Sequence, residues 1–202
     1  MRNAFGVVDE FEARVAAYAG AKYGVAVDCC TNALFLSMKM KGVGLVTIPA
    51  RTYVSVPMAV IHAGGEVVFE DFAWRGTYEL WPYGIHDGAK RFTRGMYKGG
   101  LHCLSFHAKK ILNIGRGGMI LTDDADAVKW LKRARYDGRE ETAYGSDIAT
   151  LGWHMYMTPE QAARGLQLLD VLPEQNADLI EDYPDLRQMS VFARHDRVRL
   201  AA

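Results

Sequence analysis

The sequence predicts an α/β fold: a mostly parallel sheet flanked by helices, in a single domain spanning residues 1–202. Three observations predict it. Short apolar runs of strand length alternate with stretches of helical period along residues 9–169. Glycines at 20, 42, 64 and 65 mark the changeovers, where a helix must stop or a chain must turn. Strands alternating with helices put helices over both faces of a sheet whose strands run the same way.

Asp9 to Tyr18 sets Phe11, Val15, Ala16 and Tyr18 near one helical face, with Gly20 as the stop. Val25–Val27 reads as a buried strand, Asn32–Lys41 as a helix and Gly42–Gly44 as a turn. Leu45–Ile48 is a strand, Tyr53–Ala63 a helix, and Val67–Phe69 a strand after the Gly64–Gly65 turn. Gly84–His86, Leu101–Leu104 and Met119–Leu121 are three further strands. Ala125–Tyr136 is amphipathic, with Val128, Leu131 and Ala134 inward and Lys129, Lys132 and Arg133 outward. Thr158–Leu169 is a helix with Thr158 or Met157 near its N-cap and Pro159 in its first turn. After Asp170 the chain is polar, carries Pro173 and Pro184, and shows no core pattern.

Composition narrows the function classes. Lys plus Arg equals Asp plus Glu at 24 each, so net charge points to neither nucleic acid nor an anionic membrane. No apolar stretch approaches a membrane span, and no signal-peptide core follows Met1–Arg2–Asn3. Three cysteines, Cys29, Cys30 and Cys103, make no disulfide framework, and a reducing cytoplasm is the expected setting. Cys29, Cys30, His102, Cys103 and His107 match no zinc spacing, so no metal is expected.

In a sheet of this kind ligands sit at the carboxyl edge of the strands. Four features fall there. Leu101–Met119, L-H-C-L-S-F-H-A-K-K-I-L-N-I-G-R-G-G-M, delivers Ser105 and a Lys109–Lys110 pair from a strand end into a glycine-dense turn. A lysine partly desolvated there has a lowered pKa and is a candidate amine nucleophile. Cys30-Thr31-Asn32 opens a helix whose N–H groups, with the Thr31 hydroxyl, suit a phosphate. Asp87 closes the Gly84–His86 run, where a carboxylate can pair with a cationic heteroaromatic nitrogen. Tyr53 follows the Leu45–Ile48 strand and suits a planar ring. Each alone has an ordinary reading as a cap, a surface charge or a packed ring. Together they meet the needs of pyridoxal 5′-phosphate: a phosphate cup, a carboxylate at the pyridine nitrogen, an aromatic plate and a lysine for the aldehyde.

From about Phe11 to Leu168 the sequence also resembles the DegT-type nucleotide-sugar aminotransferases, pyridoxal-phosphate enzymes of the aspartate-aminotransferase fold. Ala26-Val27-Asp28-Cys29-Cys30-Thr31-Asn32-Ala33-Leu34 is similar to the family's S-G-T-x-A-L phosphate loop. Ile48-Pro49-Ala50-Arg51-Thr52-Tyr53 is similar to its P-x-x-T-aromatic segment, which implies Tyr53 against the ring. Ile85-His86-Asp87-Gly88-Ala89 resembles E-D-A-A, implying Asp87 at the pyridine nitrogen. Ser105-Phe106-x-x-x-Lys110-x-Leu112-x-x-Gly115-x-Gly117-Gly118-Met119 resembles the lysine segment. That implies Lys110, not Lys109, as the Schiff-base lysine, and Ser105 on the phosphate. Gly152-Trp153-His154-Met155-Tyr156-Met157 with Gln161-Ala162-Ala163 resembles G-Y-N-x-R-M and Q-A-A.

The resemblance implies a transaminase working through Lys110 and Asp87. L-Glutamate is the expected donor, and a keto compound, a nucleotide-linked keto sugar among the candidates, the acceptor. Cys30, Thr31, Tyr53, Asp87, Ser105, Lys110 and His154 are the implied cofactor-binding residues. It further implies a homodimer with shared sites, in which His154 reaches the partner's phosphate and Trp153, Met155 and Tyr156 anchor the arm. The sequence departs from the family at two of these positions, where Cys30 stands for a glycine and His154 for an asparagine, and at Lys90, where the family has a glutamine or histidine. Between Asp71 and Gly84 the chain is shorter than the family pattern, and the family's C-terminal small domain is expected to be absent. A non-catalytic cofactor-binding or dimerisation remnant, and a pyridoxal-dependent dehydratase or racemase, are the alternative expectations. Arg51, Lys90, Arg116 and Arg139 are candidate carboxylate or diphosphate binders, each also readable as a surface charge.

Overall fold

The computed structural model describes residues 3–141, 148–193 and 195–196. Helix α1 (Gly6–Ala19) leads into β1 (Tyr23–Val27), α2 (Cys30–Lys41), β2 (Leu45–Pro49), α3 (Ser55–Ala63) and β3 (Glu66–Glu70). Then come β4 (Tyr78–Leu80), β5 (Ile85–Asp87), β6 (Leu101–Ser105), β7 (Gly118–Thr122), α4 (Ala125–Arg135) and α5 (Pro159–Asp170). A 3₁₀ turn, Leu186–Gln188, and a short helix α6 (Ser190–Ala193) follow. No helix among the described residues is long and apolar enough to cross a membrane.

Five strands form one sheet in the order β1-β7-β6-β5-β4, and β2 pairs with β3 in another. A bridge between Thr47 and Trp81 ties the two together, with N–H to O=C distances of 3.0 and 3.1 Å. β2–β3 and β5–β6 are parallel; β1–β7, β6–β7 and β4–β5 are antiparallel. The expected shared direction therefore holds for β1, β2, β3, β5 and β6, whereas β4 and β7 run against them. The sheet is mixed, not mostly parallel in its pairing, and the reason is local. Antiparallel neighbours need only a tight return, and both reversals have one. The β6–β7 return is closed by Phe106 N–H to Gly117 O and Ala108 N–H to Gly115 O, at 2.9 and 3.0 Å.

Side chains alternate cleanly between two cores, as the period of a strand demands. Val25, Val27, Ile85, Leu101, Cys103 and Ile120 face α2, α3 and α4. Ala26, Leu104, Met119 and Leu121 face α1 and α5, where Phe11 meets Phe106 edge to face at 5.4 Å. Helix α5 starts with a capping box between Thr158 and Gln161, and Asp124 caps α4 by accepting from the Asp126 and Ala127 amides. Each such cap stabilises its helix by about 1 kcal/mol.

Two stretches differ from expectation. The stretch between Asp71 and Gly84, read only as shorter than the family pattern, holds a strand that the sequence reading did not assign, β4 against β5. The polar stretch after Asp170 does reach the core. Leu186 and Phe192 are buried in it, and the Leu186 amide donates to Ala50 O at 2.9 Å. Their spacing has no helical or strand period, so periodicity alone gives no sign of them.

Candidate active site

Because β1, β2, β5 and β6 share a direction, their last residues meet at one edge. There they enclose a cavity of about 570 Å³. Six of the seven predicted site residues line it: Cys30, Thr31, Tyr53, Asp87, Ser105 and Lys110. His154 does not. It lies outside, with 71% of its side chain exposed, 3.3 Å from Asp137.

The phosphate cup is built on the start of α2. Cys29 at its cap position is extended and its side chain makes no capping hydrogen bond, which leaves first-turn amides open to a ligand. The Thr31 hydroxyl is 2.7 Å from that of Ser55, and Ser105 ends β6 on the same cavity. Cys30 packs its side chain into the core beneath the helix start. Gly118 is what lets β7 pass underneath: a Cβ there would lie 2.5 Å from the Cys29 carbonyl carbon and 2.6 Å from the Cys30 nitrogen.

Asp87 is buried at the end of β5. Its Oδ1 accepts from the Ala89 amide at 2.9 Å, and its Oδ2 from the Tyr78 hydroxyl at 2.9 Å. Burial pushes its carboxyl upward; those two donors and the charges of Lys110 and Lys90 pull it back. Lys110 is half-buried, and desolvation lowers its pKa against the opposing pull of Cys30 and Asp87. Lys109 beside it is exposed. Lys90 is 4% exposed, and burial with the neighbouring Lys110 charge brings it down to about 8. One carboxyl and two amines shifted by burial in a single cavity is the electrostatic mark of a functional site.

Sequence reasoning passed over several residues of the cavity. Ser55 and Thr52 adjoin the predicted Tyr53. Trp74 lies just before β4; Tyr78, within β4, does not line the cavity but is buried behind Asp87, and the alternation Tyr78-Glu79-Leu80 was the available signal. Glu181 and Tyr183 come from the stretch after α5. Glu181 is ion-paired to Lys90, and Tyr183 stacks on Trp74 at 6.2 Å, with Tyr53 6.3 Å away. Tyr53 itself is 55% exposed, with ring surface free for a ligand.

The other charge candidates have protein partners. Arg116 bonds Asp28 at 2.8 Å, Arg51 lies 3.6 Å from Asp185, and Arg139 lies 3.7 Å from Asp137. The expected interface anchors pack within the chain. Trp153 meets Phe35 at 5.1 Å, and Tyr156 meets Phe5 and Tyr136 at 5.6 and 4.9 Å. Met155 packs against the α2–α4 core, while its amide and carbonyl bond Arg135 O and Asp28 N at 2.9 Å. Internal packing holds this arm and leaves His154 outward.

Comparisons with known proteins agree with this geometry. The sequence profile of the DegT/DnrJ/EryC1/StrS aminotransferase family matches residues 4–95 and 90–188. The spore coat polysaccharide biosynthesis protein SpsC of Bacillus subtilis is 28% identical over 224 residues, covering 83% of this chain and 57% of that protein. GDP-perosamine synthase of Caulobacter vibrioides is 29% identical over 215 residues, with the same two coverages. A crystal structure of a DegT DnrJ EryC1 StrS aminotransferase from Brucella abortus superposes with a TM-score of 0.72 at 22% identity. That match covers 85% of this chain and 60% of the other. The chain thus spans 57% of the length of the curated relatives it matches.

Proposed function

Because the chain belongs to the DegT/DnrJ/EryC1/StrS aminotransferase family, whose members are pyridoxal-phosphate enzymes, we propose that it is a transaminase. It moves an amino group from an amino acid, L-glutamate as the expected donor, to a keto group on a nucleotide-linked sugar. The observation that carries this reading is Lys110 and Asp87 in one cavity with the uncapped start of α2. GDP-perosamine synthase and a polysaccharide biosynthesis protein among the relatives support the sugar acceptor.

The residues present suit the cofactor. First-turn amides of α2 and the hydroxyls of Thr31, Ser55 and Ser105 form a neutral, donor-rich cup for a phosphate dianion. When bound, pyridoxal 5′-phosphate supplies an aldehyde for amines and a ring that accepts the electron pair left at a deprotonated carbon. Asp87 is the counter-charge that keeps the ring nitrogen protonated. Lys110, partly stripped of water, carries a free lone pair more often than an exposed lysine does, and it accepts and returns a proton at Nζ. Tyr53, on the cavity wall with its ring half exposed, would lie against the cofactor ring. Trp74 and Tyr183 wall the cavity against water.

His154 lies exposed and away from its own chain's cavity, which supports a homodimer in which it serves the partner's site. The decisive experiment is optical. The protein loaded with pyridoxal 5′-phosphate is expected to be yellow, to lose its visible band with L-glutamate, and to regain it with a keto acid. A band indifferent to glutamate, or no band at all, overturns the proposal.

A further inference from the structure

Strand β4 brings Tyr78 directly opposite Asp87 in the antiparallel register with β5. The Tyr78 hydroxyl donates to Asp87 Oδ2 at 2.9 Å and lies 2.6 Å from Thr52 Oγ1. Three separate elements therefore converge on one short chain of hydrogen bonds. All three residues are nearly sealed from solvent, with Thr52 1%, Asp87 5% and Tyr78 6% exposed. The direction of the chain follows from chemistry. An ionised carboxylate only accepts, so the phenol proton points to Asp87 and the Thr52 hydroxyl donates to the phenol oxygen. Burial and the Asp87 charge push the Tyr78 phenol well above 10, so it stays a donor through the working pH range.

With the Ala89 amide on Oδ1 and Tyr78 on Oδ2, the carboxylate is gripped at both oxygens, which fixes its plane. We propose that Tyr78, itself held by Thr52, is a positioning residue that orients the Asp87 carboxylate and keeps it ionised for the ring nitrogen of the cofactor. The functional purpose rests on the role given to Asp87 above; the grip itself does not. The ring of Tyr78 packs edge to face on Trp74 at 4.7 Å, so a phenylalanine preserves the packing and removes only the hydroxyl.

The charged and titratable groups around Asp87 are Lys110, Lys90, Cys30, Cys103, Tyr78 and Tyr183. Tyr78→Phe leaves five of these in place. The test is the titration of Asp87 in the cofactor-free protein, read by carboxyl ¹³C NMR and assigned by the signal lost in Asp87→Asn. Loss of a hydrogen bond to a buried charge is expected to raise the Asp87 pKa by about one to two pH units in Tyr78→Phe. Thr52→Val should raise it less, and Thr52→Ser should restore the wild-type titration. In the loaded protein, kcat should fall by about 10-fold to 100-fold, the same change expressed in the barrier. Donor KM should hold nearly constant, and part of the kcat loss should be recovered as pH rises. An Asp87 titration that Tyr78→Phe leaves unmoved overturns the inference, even if the enzyme is active. A protein that never takes up pyridoxal 5′-phosphate overturns the transaminase reading instead, and the Asp87 titration still decides the grip. If Tyr78→Phe does not fold, Thr52→Val carries the same decision.

Discussion

Replacing Asp87 by asparagine removes a charge while the hydrogen-bond geometry around it offers a way to keep its shape. Asparagine has one carbonyl oxygen and one amide nitrogen where aspartate has two acceptors. The Ala89 amide is fixed to the backbone and must keep an acceptor, so the asparagine oxygen takes the Oδ1 position. Its NH₂ then faces Tyr78, which can no longer donate there. The phenol can instead turn its proton to Thr52, 2.6 Å away, and accept from the new amide, so the chain runs in reverse with the phenol still paired on both sides. Folding stability should therefore change by no more than about 1 kcal/mol, the worth of an ordinary exchange of neutral hydrogen bonds. Turnover should fall much further. Losing the counter-charge to the ring nitrogen is expected to lower kcat by at least ~100-fold, about 2.7 kcal/mol in the barrier. Calorimetry and steady-state transamination on the same preparation separate the two effects. Near-normal turnover would show the carboxylate to be structural, and a collapse in stability would show that the chain cannot reverse.

Borohydride reduction of the cofactor-loaded protein followed by peptide mapping should label Lys110; Lys110→Ala should abolish transamination, and Lys109→Ala, altering an exposed side chain, should cost little. For the dimer, Lys110→Ala mixed with His154→Ala should recover activity through one intact site per heterodimer, and a monomer in solution that still transaminates excludes shared sites. Arg135 is fully buried and paired with Glu12, and both hold Ala26 of β1 through its carbonyl and amide. Glu12→Ala leaves that guanidinium with Glu141 alone, at 2.7 Å, and takes the acceptor from the buried Ala26 amide, so urea unfolding should show a loss of about 1–3 kcal/mol. His102 is buried with an unpartnered Nε2, and burial with the charges of His86 and Arg91 lowers its pKa to about 4. It stays neutral in the fold while the unfolded chain takes up a proton below about 6.5, so stability should drop as pH falls from there toward 4. The loss attributable to His102 is about 3 kcal/mol, and equal stability at pH 7 and pH 4 in wild type would contradict it.

The sheet and its carboxyl edge were legible because the strands that end at the site carry short buried apolar runs, followed by a polar residue, a helix start or a turn. Val25–Val27 before Cys30-Thr31 and Leu101–Leu104 before Ser105 are of this kind, and their observed ends differ from expectation by at most two residues. What could not be read was everything fixed by non-local geometry. β4 is three residues long and is held by its ladder to β5 and the bridge from Trp81 to Thr47, which no local pattern encodes. Leu186 and Phe192 are isolated apolar residues in a polar stretch, buried only because that stretch crosses the ends of β2 and β3, where Phe192 meets Phe69 at 5.9 Å. The passage of β7 beneath the start of α2 depends on Gly118, where a Cβ would meet the Cys29–Cys30 backbone. Its glycine was visible in the sequence, but its neighbour was not.

The charge balance of the cavity explains why the stretch after α5 belongs to it. Lys110 and Asp87 bring one positive and one negative group to a buried space. Lys90 adds a second cation at 4% exposure, and an ammonium that deep is unfavourable without a carboxylate. Asp87 of β5 attracts it only through space; the carboxylate it pairs with directly, among the described residues, is Glu181, carried in by the backbone bond from the Leu179 amide to Lys90 O at 2.9 Å. The same passage lays Tyr183 over Trp74 and sets the Lys90 ammonium 5.0 Å from the Tyr183 ring centroid. The burial of Lys90 and the inward route of residues 179–183 are therefore one arrangement. The lysine demands an anion, and the stretch that supplies it also closes one wall of the cavity.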